Sequence, residues 1–432
     1  MTDILSLYKG QSVKDIPTPN FAIVQDKFDA NCRHMLNNIQ ELSRETNVPI
    51  KFRAHIKTHK TIQGTLKQLG VGLLEKPKDA IVVSTLMEAR SILNYQEKSG
   101  KSYVKDICFG IPASVPSILP EMSSISQRVE SFRIFVDNIE HLDYLVNFGR
   151  AAGDKKWSLF IKIDMGTERA GLPNNSADFH ELLKKLSTPA VSEVAELYGF
   201  YAHAGHSYHV QNIVDAHQLL LDEITAVNEA AKIYSRLHPD IDAKTLTLSV
   251  GATPTSNSLK IRDELQLNEY IKNKLVGSLE VHCGNYCMYD LQQFSTGCIE
   301  KYEIAGYVLG SVWSAYNQRK EILTNTGVMA LTRESSDVKG HGLCIPSEDI
   351  FRNDAYNIEW YVDRVSQEHG ILRQYHENTD KREEKETKPL KLDQQIAILP
   401  QHACIVMAQF PFYFVLDKDQ KVVDVWTPFQ KW

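Results

Sequence analysis

The chain has 432 residues, of which 43% are hydrophobic and 24% charged, with a formal net charge of −6. At roughly 100–200 residues per domain this predicts two domains, and it excludes a disordered chain, a coiled coil and a small disulfide-stapled scaffold. The mild acidity offers no field for nucleic acid or an anionic membrane, and no stretch approaches the ~18–20 apolar residues of a membrane span. The seven cysteines are thinly spread, and Met1 to Gly10 has no basic segment followed by an apolar one. A cytoplasmic protein in a reducing compartment is expected, its cysteines serving as core residues or metal ligands.

In chain order, short apolar runs begin at Ile50–His55 and continue at Ala80–Ser84, Asp106–Gly110, Arg133–Asp137, Ser158–Asp164, Leu197–His203, Thr245–Gly251 and Leu279–Cys283. Helical periodicity falls between them, as at Thr61–Leu69, Glu140–Phe148 and Val214–Ile233. Eight buried strands alternating with helices predict a parallel (β/α)₈ barrel in an α/β chain. The rival, an open doubly wound sheet, lacks a G-x-G-x-x-G fingerprint after a strand. Beyond about residue 300 the runs Glu303–Val308, Ile396–Leu399, Cys404–Phe410 and Phe412–Leu416 sit between turn residues and predict a mostly β domain. The expected division is 19–298 for the barrel and 299–432 for the β domain, with 1–18 packing on the latter. Asn378–Lys391 is dense in charge and reads as a solvated loop.

The strand ends carry the chemistry, because every C-terminal end of a barrel opens on one face. Lys57 stands in R-A-H-I-K-T-H-K at the end of the first run. A lysine amine there can form a Schiff base with an aldehyde cofactor, and like charge from Arg53, His55, His59 and Lys60 would activate it. An exposed strand-end lysine is the plainer alternative. S-V-G-A-T-P-T, Ser249–Thr255, is a small-residue turn through which backbone N–H groups can approach a phosphate, flanked by the Gly-bearing ends H-A-G-H and C-G-N-Y. In L-P-Q-H-A-C, a strand would put His402 and Cys404 on one side, half of a zinc site. Cys283 with Cys287, helped by His282, is a rival pair.

These segments, with I-K-I-D-M-G-T-E-R-A-G-L, Y-A-H-A-G-H-S-Y and H-C-G-N-Y-C-M-Y-D, resemble the eukaryotic D-serine dehydratases, the fungal ones above all. The likeness runs from about Pro17 to Trp432. It implies a zinc- and pyridoxal-phosphate-dependent enzyme of the alanine racemase fold type, assembled as a homodimer with active sites near the subunit interface. Lys57 then matches the lysine that holds pyridoxal phosphate, and His402 and Cys404 the zinc pair. Gly251, Thr253, Gly284, Asn285 and Tyr286 match loops that hold the phosphate, Tyr201 and His203 lie close to the cofactor ring, and Arg169 falls in a motif shared across the fold type. The implied reaction is elimination from D-serine, with Lys57 as the base at Cα and zinc assisting loss of the β-hydroxyl. The alternatives are a D-threonine aldolase or 3-hydroxyaspartate-type lyase of the same fold, a racemase, and a non-catalytic pyridoxal-phosphate-binding homeostasis protein.

Overall fold

The computed structural model describes residues 4–262, 266–376, 389–430 and 432. Two compact units divide the chain: Arg33–Gly284 with Phe429–Trp432, and Met1–Cys32 with Asn285–Pro428. These bounds differ from 19–298 and 299–432 because the first strand, β1 (Asn20–Val24), pairs with strands of the second unit, as shown below.

The first unit is a closed parallel barrel. Its strands, in chain order, are β2 (Lys51–His55), β3 (Ala80–Val83), β4 (Asp106–Phe109), β5 (Ser131–Val136), β6 (Trp157–Ile163), β7 (Ala195–Ala202), β8 (Thr247–Val250) and β9 (Ser278–Cys283). β9 returns to β2, with Phe52 beside Val281 and Ala54 beside Cys283. All eight predicted runs are strands. They read as near-continuous apolar segments because a parallel sheet is covered on both faces, and every residue of β6 is buried. Helices start where side chains cap them. Thr61 accepts from Gly64 N before Ile62–Gln68, Asn138 from Glu140 N before Ile139–Phe148, and Asn212 from Asp215 N before Ile213–Leu237.

Strand alternation stacks the inward side chains in layers. At the N-terminal ends of the strands, buried Arg53 meets Glu280 at 2.8 Å and Asp106 at 2.7 Å, while Arg133 takes the other oxygen of Asp106 at 2.6 Å. Above lies a packed cluster of Val82, Cys108, Phe135, Phe160 and Tyr201. The C-terminal ends then present His55, Lys162 and His203, each two residues further along its strand than a member of the layers below.

The second unit is a nine-stranded sheet in the order β11-β14-β13-β12-β15-β10-β1-β16-β17. Its later strands are β10 (Gly306–Tyr316), β11 (Glu321–Thr324), β12 (Gly342–Pro346), β13 (Trp360–Val365), β14 (Gly370–Gln374), β15 (Gln395–Pro400), β16 (Tyr413–Leu416) and β17 (Val422–Trp426). β1 runs antiparallel to β10 and parallel to β16. The segment before it is tied to β17, Gly10 N donating to Val422 O at 2.8 Å and Val13 N to Gln420 O at 2.8 Å. Ile396–Leu399 and Phe412–Leu416 are strands, but Cys404–Phe410 is not. Ala403–Met407 is a short helix that buries Ala403, Val406 and Met407, the i, i+3, i+4 face of an apolar run without alternation. Residues 378–388 of the charged segment Asn378–Lys391 lie outside the described residues. Among the described residues no helix is long and apolar enough to cross a membrane.

Within this unit Lys27 is buried, and among the described residues no carboxylate pairs with its amine. Its Nζ donates to Tyr356 Oη at 2.6 Å and to Tyr307 Oη at 3.1 Å, and the two hydroxyls are 2.8 Å apart. Burial pushes the amine down to about 7, far below its usual 10.5. Between pH 7 and 9.5 the unfolded chain therefore binds a proton that the folded chain has released. Stability contributed at this site should rise with pH across that window, by up to about 1.4 kcal/mol per pH unit. Denaturant unfolding of the wild type against Lys27→Met across pH 7–9.5 measures it. The expected result is a wild-type curve that gains on the variant as pH rises.

Candidate active site

Of the residues singled out in the sequence, Lys57, Arg169, Tyr201, His203, Gly251, Thr253 and Gly284 belong to the barrel unit. Lys57 follows the end of β2 in the turn 56–59 and is half-buried. The like charge expected around it is largely spent elsewhere. Arg53 is neutralised by Glu280 and Asp106, and Lys60 pairs with Glu88. His59 is buried and pulled down to about 4, bonded to Gln68 Oε1 at 3.0 Å. His55 lies beside Ser84, its Nε2 2.9 Å from Oγ. Burial and then the Lys57 charge, with His203, Lys60 and Arg169, hold His55 well below the usual histidine range. His203 is lowered to about 3 by burial and then by Arg169, with Lys57 and Lys162 adding to it. Lys57, His55, Arg169 and His203 thus share one electrostatic neighbourhood.

Hydrogen bonds fix the ring tautomers. His203 Nδ1 lies 2.8 Å from Gly251 O, an acceptor only, so Nδ1 carries the proton and Nε2 the lone pair. The Ser249 hydroxyl donates to Glu280 Oε1 at 2.7 Å, so its oxygen accepts from His282 Nδ1 at 3.0 Å. His282 Nε2 is then a buried lone pair with no hydrogen-bond partner among the described residues. Its ring stacks on Tyr201 with centroids 3.9 Å apart and planes 12° from parallel. Lys162 is buried over the rings of Phe135 and Tyr201 and is lowered to about 8, by burial first and then by Arg169. Sequence reasoning assigned no role to Lys162; a lysine inside the apolar strand S-L-F-I-K-I-D was the available signal.

Two turns beside these rings pack main chain on main chain. Gly251 has φ +138°, and a Cβ there would sit 2.1 Å from His282 O. A Cβ on Gly284 would sit 2.8 Å from His55 O. Both glycines let main chain approach main chain. Thr253, buried, is the first residue of the short helix Thr253–Asn257. Arg169 follows the turn organised by Asp164, whose Oδ1 accepts from the amides of Gly166, Thr167 and Glu168. A buried ring acceptor without a partner, and two turns with no space for a side chain, fit a flat heteroaromatic cofactor with a phosphate tail.

In the sheet unit, Asn285 and Tyr286 follow Gly284 directly and are buried. Asn285 Nδ2 donates to Asp290 Oδ2 at 2.6 Å, while Asn285 Oδ1 is buried without a hydrogen-bond partner. The same Asp290 oxygen accepts from Ala403 N at 2.8 Å. Asp290, unassigned in the sequence although it ends H-C-G-N-Y-C-M-Y-D, therefore ties the Asn285 turn to the His402–Cys404 turn. Those two residues sit at the entry to a helix rather than on a strand, so their nearness comes from a turn and not from i, i+2 alternation. His402 Nδ1 is 3.2 Å from Glu334 Oε2. Burial would lower this imidazole, but the Cys404 thiol with Asp290 and Glu334 outweighs it and raises it to about 9. Among the described residues no group of three or more His, Cys, Asp and Glu is placed to hold a metal ion. Imidazole beside thiol is nonetheless a donor pair that suits zinc. None of the seven cysteines, all of them described residues, is in a disulfide; Cys283 and Cys287 are buried, and Cys404 is partly exposed.

A barrel of this kind preceding a β domain, with a lysine at the end of its first strand, defines the alanine racemase class of fold. Residues 30–259 match the family model "Alanine racemase, N-terminal domain" and 305–416 match "Putative serine dehydratase domain". D-threo-3-hydroxyaspartate dehydratase from Delftia sp. HT23 superposes with a TM-score of 0.77 at 23% identity, over 98% of this chain and 100% of that one. The D-serine dehydratase of Saccharomyces cerevisiae is 56% identical over 100% of both chains. That of Schizosaccharomyces pombe is 40% identical over 98% of this chain and 94% of its own. The chain belongs to the D-serine dehydratase family.

Gly251 combines a left-handed φ with a backbone carbonyl where Cβ would be. Gly251→Ala is expected to cost roughly 2–5 kcal/mol of stability, the sum of backbone strain and overpacking. Thermal unfolding read beside Gly72→Ala, a glycine with φ +80° and nothing within 4 Å of a Cβ, separates the clash from the φ effect. The Gly251 variant should melt at the lower temperature of the two.

Proposed function

We propose that the chain is a D-serine dehydratase that uses pyridoxal phosphate to eliminate the β-hydroxyl of D-serine, giving pyruvate and ammonia. The observation that carries this is the clustering of Lys57 and Arg169 with His55 and His203, in a chain with full-length relatives of that name.

Pyridoxal phosphate, when bound, supplies an aldehyde for an amine to join and a ring that delocalises the electrons left at Cα. Lys57 would hold it, and its Nζ would take the Cα proton. Tyr201 and His203 would flank the ring, with His203 a neutral acceptor at Nε2 because Gly251 O holds its Nδ1 proton. Gly251, Thr253 and Gly284, with Asn285 and Tyr286, would receive the phosphate through backbone and buried polar atoms. Burial, with Arg169 and Lys57 adding to it, keeps His55 and His203 neutral near pH 7. His402 and Cys404 would hold zinc, which supplies a Lewis acid for a hydroxyl oxygen. A cytoplasmic homodimer is the setting that accords with the reduced thiols and with the resemblance.

Two measurements test the assignment. Incubation with D-serine should yield pyruvate and ammonia, and L-serine should be inert. Glycine plus an aldehyde from D-threonine would instead indicate an aldolase, and cofactor binding without turnover a homeostasis protein. Chelation should abolish pyruvate formation, leave the visible absorbance of the cofactor in place, and be reversed by zinc. Separately, Lys57→Ala should lose that absorbance band and at least a thousandfold in kcat, while its melting temperature stays near wild type.

A further inference from the structure

Glu223 lies on the helix Ile213–Leu237, ten residues from its start, and is wholly buried. A buried carboxylate without a cation needs other donors. Here they come from two strand ends. Oε1 accepts from Ala204 N at 2.6 Å and from Gly251 N at 3.3 Å, and Oε2 accepts from Thr255 Oγ1 at 2.8 Å. Ala204 directly follows His203. Gly251 is the residue whose carbonyl holds His203 Nδ1, and Thr255 closes the S-V-G-A-T-P-T turn by accepting from Ala252 N at 2.8 Å. One carboxylate thus reaches His203 from both sides, through the residue after it and through the residue that fixes its tautomer.

We propose that Glu223 is the positioning residue of the cofactor site, holding the end of β7 and the turn after β8 in the register that sets His203 against the ring and Gly251 against the phosphate. This rests on the reading above that pyridoxal phosphate binds at these strand ends. Glu223 touches neither cofactor nor substrate; it acts through main chain. Burial raises its carboxyl to about 7, against the pull of the Ala204, Thr255 and Gly251 donors. What the site requires of Glu223 is acceptor geometry, and a glutamine oxygen can supply it to both amides. The amide nitrogen would then face Thr255 Oγ1, whose hydrogen can turn to Ala252 O, already 3.3 Å away.

The test is the dissociation constant for pyridoxal phosphate, with the phosphorus resonance of the bound cofactor as a second readout. Both are measured on the full chain below its melting temperature. Glu223→Leu, which orphans both amides, should weaken binding tenfold or more and shift the resonance. Glu223→Gln should stay within about threefold of wild type and keep the resonance. Thr255→Val, which leaves the helix intact, should weaken binding at least threefold and covers the case in which the leucine variant does not fold. Unchanged affinity in Glu223→Leu or in Thr255→Val would overturn the proposal. So would a glutamine variant as weak as the leucine one, since charge rather than acceptor geometry would then matter. Wild-type protein that takes up no cofactor sinks the functional reading and this inference together. Uptake by the wild type and equally by Glu223→Leu sinks the inference alone.

Discussion

A guanidinium with no access to water has to be matched atom for atom by acceptors, and Arg53 is matched by Glu280, Asp106 and Ile81 O. The two carboxylates come from β9 and β4, and Asp106 also takes Arg133 from β5. The ring closes between β2 and β9, so the pair across that seam belongs to the closure itself. Removing one partner of such a buried pair costs about 3–5 kcal/mol, because the other is left charged and unpaired. Glu280 has a second duty. The oxygen that meets Arg53 Nε also accepts from Ser249, and Ser249 fixes which nitrogen of His282 bears hydrogen. Barrel closure and the protonation pattern of the mouth therefore hang on the same carboxylate.

Glu223 repeats this design nearer the mouth. Each is a buried acid with a task on two strands, and each acts on a histidine through an intermediary, a serine in one case and main chain in the other. The barrel histidines His55, His203 and His282 are kept neutral by burial and by cationic neighbours. Lys57 is the basic group in their midst that stands in a half-buried turn.

The barrel was legible because parallel strands covered on both faces must be apolar, and eight such runs cannot hide. Lys57, His203 and Gly251 were legible because strand ends face one way. The charges inside the barrel were on view but not paired: Arg53 reads as like charge for Lys57, while Asp106, Arg133 and Glu280 carry no assignment, though four charges in apolar strands argue for mutual pairing. Glu223 gave no such sign. Beside Asp222 in an amphipathic helix it looks solvated, and only the packing of Ile213–Leu237 turns it inward. In the sheet unit, Glu321 lies between Arg364 and Arg373, a charged ladder on β11, β13 and β14 that breaks the alternation by which strands are recognised. Cys404–Phe410 erred in the other direction, because a short apolar run does not itself distinguish strand from helix.

The distribution of thiols has a chemical consequence. Cys32, Cys108, Cys283, Cys287, Cys298 and Cys344 are buried, and burial pushes the thiols of Cys108, Cys283 and Cys344 up, which makes them poor nucleophiles. Cys404 alone meets solvent, beside His402. Peroxide or an alkylating reagent therefore meets one reactive sulfur first, and the damage begins at the His402–Cys404 turn while the barrel stays folded. Where that turn holds zinc as proposed, such damage would take competence before structure, and circular dichroism would miss the event that a thiol count records.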